Sequence, residues 1–159
     1  MSDSTTADGW CTPLWLAELL GSFQLDPCSN DRSHVNTIEA CALESEQDNY
    51  DGRNGLVYPW GQVSVFCNPP YSNVMPWAKR LRDHDGPWCA LLKLDPSTKW
   101  WAVLMEASPT IAPFRKRIKF EGDKAMTANF PSVLVYSAWR PSRELAQHLW
   151  LPTYAARAA

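Results

Sequence analysis

The fold is decided by residues 63–71, which read VSVFCNPPY. The apolar run at 63–67 predicts a strand that is buried on both faces, as the strands of a parallel sheet are. A polar turn that contains two prolines follows this strand directly. Open α/β sheets bind ligands at the carboxyl ends of their strands. The sequence therefore predicts an α/β fold with a candidate site at this turn.

The turn itself suits the recognition of an amino group on a planar base. Pro69 and Pro70 fix the backbone, and Asn68 is pushed into an extended conformation because it precedes a proline. The side-chain carbonyl of Asn68 and the backbone carbonyl of Pro69 can then accept hydrogen bonds from one amino group. Tyr71 supplies a ring that can stack on the base. We predict that these four residues, Asn68 to Tyr71, are catalytic.

Two acceptors on one amino group favour methyl transfer to its nitrogen. An aromatic amine is a poor nucleophile because its lone pair is delocalised into the ring. Acceptors on its hydrogens favour a pyramidal nitrogen and accept the positive charge that develops in the transition state. Holding the amine in line with a methyl sulfonium contributes through proximity. In duplex DNA the base must first be flipped out of the stack.

Strands that alternate with helices predict a mostly parallel sheet with helices on both faces. Thr12 is expected to cap the first helix, with Pro13 at its first position and Gly21 at its end. Ser97 is a second expected cap. The predicted helices are 12–21, 74–82, 97–106 and 141–149, and the predicted strands are 23–26, 63–67, 88–94, one or two within 111–120, and 132–138. The last two strands predict an antiparallel hairpin at one edge, and residues 28–60 give only weak signals.

The chain of 159 residues is 45% apolar, which fits one domain with a normal core. We expect a disordered start at residues 1–9, a single domain at 10–150 and a tail at 151–159. Five cysteines without a CxxC pair indicate reduced thiols of a cytosolic protein. Cys28, His34 and Cys41 match no zinc pattern, so no metal is predicted. Without a signal peptide or an apolar run of about 18 residues, we expect a cytoplasmic protein with no membrane partner.

Charged residues are segregated along the chain, although the net charge is only −2 at pH 7. Acidic residues crowd positions 39–51, and basic residues crowd positions 115–124, where Phe114 and Phe120 are interleaved. A basic cluster can contact nucleic-acid phosphates, which position a strand without reading its sequence. We predict phosphate contacts from Arg115, Lys116, Arg117 and Lys119.

The order and spacing of several motifs resemble the phage-type DNA adenine-amino methyltransferases over roughly residues 10–140. The resemblance implies a class I, Rossmann-like fold that uses S-adenosylmethionine, in a cytoplasmic enzyme often encoded by prophages. It rests on WCTP at 10–13, LDPC at 25–28, NGL at 54–56 with Trp60, CNPPYS at 67–72 with Trp77, residues 91–100, and FPS at 130–132.

The resemblance also implies which residues bind the cofactor. Asp26, followed by Pro27 and Cys28, replaces the usual glycine-rich loop, and its carboxylate would pair with the cofactor ammonium. The helix start at Trp10, Thr12 and Pro13 would meet the cofactor carboxylate, since helix N-termini bind anions. Asn54 would replace an acid that hydrogen-bonds the cofactor adenine, although Asp51-Gly52 just upstream offers a second alignment.

Two further sets of candidates remain, the first by analogy with dinucleotide-binding folds and the second from the resemblance. An acidic residue should hold the cofactor ribose, and the competing candidates are Glu39, Glu44, Glu46, Asp48 and Asp51. The segment after the strand at 88–94 should line the base pocket, with Asp95, Ser97 and Trp100 as its candidate residues.

The predicted function is methyl transfer from S-adenosylmethionine to the exocyclic amine of adenine in DNA. Site-specific enzymes of this class carry a separate recognition domain, but only roughly 40 residues separate Asp26 from Asn68, too few for a domain. We therefore expect a short or relaxed sequence preference. Amino-methylation of RNA or of a protein glutamine stays open, as does a non-catalytic nucleic-acid-binding relative. The recognition sequence, the strand preference and the oligomeric state stay undetermined.

Overall fold

The computed structural model describes residues 10–30, 32–42, 54–121 and 126–152. Three predictions fall on residues outside these ranges: the disordered start at 1–9, most of the tail, and the alternative alignment at Asp51-Gly52. Four of the ribose candidates also lie outside the described residues, namely Glu44, Glu46, Asp48 and Asp51. The assignment of residues 10–150 to a single domain stays a prediction.

Helices and strands alternate between residues 65 and 113 of the described chain, and runs of consecutive strands stand on either side of this part. The helices are α1 (Leu14–Leu20), α2 (Met75–Arg82), α3 (Lys99–Met105) and α4 (Arg143–Ala146). The strands are β1 (Ser22–Ser29), β2 (Asn36–Ala42), β3 (Val65–Cys67), β4 (Trp88–Lys93), β5 (Thr110–Pro113), β6 (Lys119–Phe120), β7 (Met126–Thr127) and β8 (Ser132–Ser137).

Six of the strands form one sheet with the order β2-β1-β3-β4-β8-β5. The strands β2, β1, β3 and β4 run parallel, and β8 is antiparallel to both of its neighbours. The predicted mostly parallel α/β fold with an antiparallel pair is confirmed. The pair is not a simple edge hairpin, because β8 inserts between β4 and β5, and β6 and β7 form a separate two-stranded sheet.

The core lies on both faces of this sheet, as β4 shows. Cys89 and Leu91 face the cluster that includes Leu16 of α1 and Leu145 of α4. Ala90 and Leu92, whose side chains alternate with them, face the cluster that includes α2 and α3. All of residues 88–92 are at most 1% exposed. Burial on both faces explains why this strand reads as an unbroken apolar run.

Two strand predictions in the first half are wrong. The sequence predicts no clear element for residues 36–42, but they form β2, which pairs in parallel with β1. Its pattern carries little apolar signal because it is an edge strand, where Ile38 is 82% exposed. The first strand was expected to stop at Pro27 but continues to Ser29. A register shift between Asp26 and Ser29 accommodates the proline, which lacks a ladder donor.

Two predicted caps are also wrong. Helix α1 begins at Leu14 with Pro13 in the N-cap position, and the Leu14 amide donates to the Glu121 carboxylate at 3.1 Å. The Thr12 hydroxyl therefore does not cap this helix. Helix α3 is preceded by Thr98 instead of Ser97, whose hydroxyl donates to the Asp95 carboxylate.

Candidate active site

One pocket gathers residues that are far apart in the sequence. It lies where β1 and β3 end, beside the segment that leads into α1, and it is lined by Trp10, Cys11, Thr12, Asp26, Cys28, Ser29, Asn30, Ser33, Phe66 and Asn68. The predicted catalytic Asn68 therefore shares a pocket with four of the predicted cofactor residues, namely Trp10, Thr12, Asp26 and Cys28. Ser29, Asn30 and Ser33 were not predicted, although they directly follow the candidate loop.

The side chain of Asn68 is held in one orientation by Thr12. Its amide nitrogen donates to the Thr12 hydroxyl oxygen at 3.3 Å, and Thr12 is only 4% exposed. The amide oxygen therefore points away from Thr12. None of the described residues donates a hydrogen bond to this oxygen, so it can accept one from a ligand. The Pro69 ring that fixes the following backbone is buried.

Asp26 is a buried carboxyl at the same pocket. It is 3% exposed and accepts a hydrogen bond from the Cys28 amide at 3.1 Å. Burial raises the pKa of Asp26 to about 7, while the hydrogen bonds from Cys28 and Ser29 act to lower it. No cation of the described residues pairs with it. The carboxylate form is therefore poised to accept a cationic group from a ligand.

The thiols next to the pocket are packing groups. The sulfur atoms of Cys28 and Cys67 are 3.5 Å apart, and burial raises the pKa values of Cys28 and Cys89 well above the usual range. Cysteine nucleophiles act as thiolates. The raised pKa values therefore argue against covalent catalysis by Cys28.

Tyr71 is half-buried and fixed at both ends of its ring. Its hydroxyl donates to the Leu91 carbonyl at 3.2 Å, and burial raises its pKa. The ring packs edge-on against Phe120 and Phe130, with centroids 6.4 and 5.5 Å away. Trp10 stacks on the same two phenylalanines. Sequence analysis did not foresee this aromatic cluster, which places Tyr71 beside the segment that carries Trp10.

The loop at residues 54–60 lies against the end of β1 but does not line the pocket. The Asn54 side-chain oxygen accepts from the Leu56 amide at 2.9 Å, within its own turn. Gly55 packs on Pro27, because a Cβ at position 55 would lie 1.6 Å from the Pro27 carbonyl oxygen. Cofactor binding by Asn54 and Pro27 stays a prediction. Glu39, the one described ribose candidate, is exposed and accepts from a tyrosine hydroxyl.

The predicted base-pocket residues lie at the neighbouring strand end. Asp95 follows β4, which pairs directly with β3, and its carboxylate accepts from the Ser97 hydroxyl at 2.9 Å. Trp100 is partly exposed and tilted against Trp101. These residues share the sheet edge with Asn68 without lining the same pocket.

The basic cluster lies at the same end of the sheet, where the parallel strands have their carboxyl ends. β5 and β4 run in the same direction because both are antiparallel to β8. The residues that follow β5 are therefore near the carboxyl ends of the parallel strands. Phe114 and Phe120 are buried, whereas the predicted phosphate-binding residues are all exposed: Arg115, Lys116, Arg117 and Lys119.

Comparison with known proteins agrees with this geometry. A family described as DNA N-6-adenine-methyltransferase (Dam) matches residues 2–157. The chain belongs to this family. It is also 29% identical to the DNA N-6-adenine-methyltransferase of Haemophilus phage HP1 (strain HP1c1), over 80% of this chain and 77% of the relative. The resemblance inferred from the motifs is confirmed, and membership supports adenine methylation in DNA as the activity.

Within this family fold, Glu121 is a site neighbour that sequence analysis missed. Its backbone pairs with that of Cys11, with N···O distances of 2.7 and 3.1 Å. Its carboxylate accepts from Leu14 and contacts His34 at 2.6 Å. These contacts hold the segment that carries Thr12 against Asn68. No local pattern reveals them, since the partners are separated by 87 residues or more.

Two other features are absent from the described ranges. No group of three or more His, Cys, Asp or Glu side chains there has a geometry that could hold a metal ion. None of the helices in the same ranges is long and apolar enough to span a membrane.

Proposed function

We propose that this chain transfers a methyl group from S-adenosylmethionine to the exocyclic amine of adenine in DNA. The observation that carries the proposal is the hydrogen bond from the Asn68 amide to Thr12, which leaves the amide oxygen to accept from the amine. The Pro69 carbonyl is the second proposed acceptor. Both acceptors are neutral, so they position the amine and stabilise the positive charge that develops on it, and the proton that the methylated nitrogen then loses passes to solvent.

The residues of the pocket fit the charges of S-adenosylmethionine. When bound, this cofactor supplies a methyl group on a positively charged sulfur, and its amino-acid end carries an ammonium and a carboxylate. The buried Asp26 carboxyl has no cationic partner among the described residues and would hold the ammonium. Trp10, Thr12 and Pro13 would meet the carboxylate end, while Pro27, Cys28 and Asn54 complete the proposed binding residues.

The proposed route for DNA follows the edge of the sheet. An extruded adenine would enter between the aromatic cluster around Tyr71 and the segment with Asp95, Ser97 and Trp100. Arg115, Lys116, Arg117 and Lys119 would contact phosphates. The described ranges hold no separate recognition domain, so we propose a short or relaxed sequence preference. The place of action would be the cytoplasm of the host cell.

The proposal is tested by offering several amines to the protein with methyl-labelled S-adenosylmethionine. DNA, RNA and a glutamine-containing protein are incubated separately, and nucleosides and peptides are then analysed by mass spectrometry. We expect the label in N6-methyladenine from DNA. Label in RNA or in glutamine would contradict the proposal that DNA is the substrate. DNA binding without methyl transfer and without affinity for the cofactor would indicate a non-catalytic relative.

Sequence preference is tested by mapping methylated adenines in a genome treated with the protein. We expect methylation at many sequence contexts or at a short motif. A strict six-base site would contradict the proposed relaxed preference without affecting the proposed chemistry.

A further inference from the structure

A row of exposed rings borders the basic cluster at the far edge of the sheet. Trp15 and Trp150 are 40% and 58% exposed. The centroids of the Trp15 and His148 rings are 4.9 Å apart, and the Arg115 guanidinium lies 4.1 Å from the centroid of the Trp150 ring. We call these four residues, Trp15, His148, Trp150 and Arg115, the aromatic strip.

The backbone holds the aromatic strip in place. The Arg115 amide donates to the His148 carbonyl at 2.9 Å, and the Trp150 amide donates to the Pro113 carbonyl at 2.8 Å. The Arg115 side chain also donates to the Leu149 carbonyl at 3.0 Å. Leu149 is fully buried and anchors this segment, whereas its neighbours His148 and Trp150 are exposed. The strip is therefore ordered before any ligand arrives.

The aromatic strip lies at the same end of the sheet as the candidate active site. Pro113 ends β5 at the end of the sheet where β3 leads into Asn68. Three strand spacings, or about 14 Å, separate β3 from β5. Trp15 is three residues after the pocket residue Thr12, which limits their separation to about 11 Å. A nucleic-acid strand that reaches Asn68 can therefore also touch the strip.

The chemistry of the strip suits unpaired bases. The Arg115 guanidinium lies over the Trp150 indole, and Trp150 is still 58% exposed, so the ring has open surface on which a base can stack. Lys116, Arg117 and Lys119 stand in solvent beside it and can neutralise phosphates. Bases inside a duplex have both faces covered by their neighbours. A stacking surface of this kind therefore acts on single strands or locally melted DNA.

We propose that the aromatic strip binds unpaired bases next to the target adenine, so that the protein prefers single-stranded DNA to intact duplex. This inference rests on the proposed function and adds the strand preference. A second copy of the chain is the competing occupant of the strip. A two-fold contact through the strip would bring two basic clusters together, which charge repulsion disfavours.

The test is fluorescence anisotropy with one labelled adenine-containing oligonucleotide, as a single strand and as a duplex, without cofactor. Trp150→Ala is compared with Trp150→Phe and with the matched control Ile38→Ala, an exposed apolar residue on β2 at the opposite sheet edge. We expect Trp150→Ala to weaken single-strand binding by about tenfold, the loss typical of one stacked base. Trp150→Phe should lose less, and Ile38→Ala should change nothing.

The salt dependence and the duplex provide the remaining readouts. Trp150→Ala should leave the slope of log affinity against log salt unchanged, because no phosphate contact is removed, and it should leave duplex binding unchanged. Equal binding of duplex and single strand by the native protein, or no loss in Trp150→Ala, would overturn the inference. A change of sedimentation in Trp150→Ala would overturn it in favour of self-association.

Failure of this inference is distinguishable from failure of the proposed function. Suppose that the native protein forms N6-methyladenine and that Trp150→Ala binds and methylates single strands as well as the native protein. Only the role of the aromatic strip is then refuted. If no methyladenine forms while Trp150→Ala still loses single-strand affinity, the proposed chemistry is refuted and the binding surface stands.

Discussion

The two ends of the candidate site differ in how they meet water. At the Asp26 end, the carboxyl is 3% exposed and its hydrogen bonds come from its own loop. At the Arg115 end, four strand positions away, four basic side chains are exposed. The polar groups of the buried end have fixed protein partners, whereas the exposed end offers charges that water and salt screen.

This difference predicts two kinds of mutational response. In the buried end, the loss of one polar atom leaves its partner without a hydrogen bond. Substitutions there should therefore have large effects on activity or cofactor binding, and these effects should depend on pH or on the position of the remaining atoms. In the exposed end, each side chain should contribute a small share that disappears at high salt.

The largest effect is expected from Asn68→Ala. Removing the amide oxygen removes one acceptor for the reacting amine, and the loss of one such group typically lowers kcat by about 10²–10³-fold. Cofactor affinity, measured by calorimetry, should stay near that of the native protein. Asn73→Ala, an exposed asparagine in the same turn, is the matched control and should keep full activity. Full activity in Asn68→Ala would contradict the proposed mechanism.

Asp26→Asn should weaken cofactor binding and stabilise the fold. Loss of a buried charge partner costs roughly 2–5 kcal/mol, which is about 30-fold or more in Kd. The folded pKa is about 7 against an ordinary value of 3.8, so native stability falls as the pH rises from 3.8 towards 7 and Asp26 must ionise while buried. The variant removes this cost, so its unfolding free energy at about pH 8 should rise by a few kcal/mol.

The same carboxyl predicts a pH dependence of cofactor affinity. The ammonium needs the ionised form of Asp26, so affinity in the native protein should rise with pH up to about 7 and then level off. Calorimetric titrations across this range check the slope, and Asp26→Asn should show none. If the cofactor affinity of the native protein does not change with pH, Asp26 does not bind the ammonium.

Thr12→Val should give an intermediate effect. Valine has nearly the same shape but cannot accept the hydrogen bond from the Asn68 amide, whose loss costs about 1–1.5 kcal/mol, or roughly tenfold in kcat. Thr12→Ser retains the hydroxyl and should retain most of the activity. If the serine and valine variants lose activity equally, packing and not orientation explains the role of Thr12.

The smallest effect is expected at the exposed end. Lys116→Gln combined with Arg117→Gln removes two charges and should reduce the salt slope of duplex binding by about 1.8. The kcat at saturating DNA should stay unchanged, and Lys79→Gln on α2, also exposed, should leave the slope unchanged. A large loss of kcat in the double variant would mean that these residues act at the reaction centre.

Local sequence patterns predicted the strands that are buried on both faces and the turn that prolines fix. The apolar runs that became β3 and β4 and the proline turn at Asn68 are visible in the sequence because they are buried on both faces or conformationally fixed. The edge strand β2 was missed because its exposed side chains carry no apolar period. The expected cap at Thr12 was wrong because its hydroxyl binds Asn68, 56 residues away. Tertiary pairs of this kind leave no trace in local spacing.

The proposed mechanism requires that Asn68 and Pro69 accept hydrogen bonds from the amine of an extruded adenine. A crystal structure with a non-reactive S-adenosylmethionine analogue and an adenine-containing oligonucleotide tests it most directly. We expect the adenine amino nitrogen within about 3.2 Å of both the Asn68 side-chain oxygen and the Pro69 carbonyl oxygen. An adenine bound elsewhere, with the Asn68 oxygen turned into the protein, would contradict it.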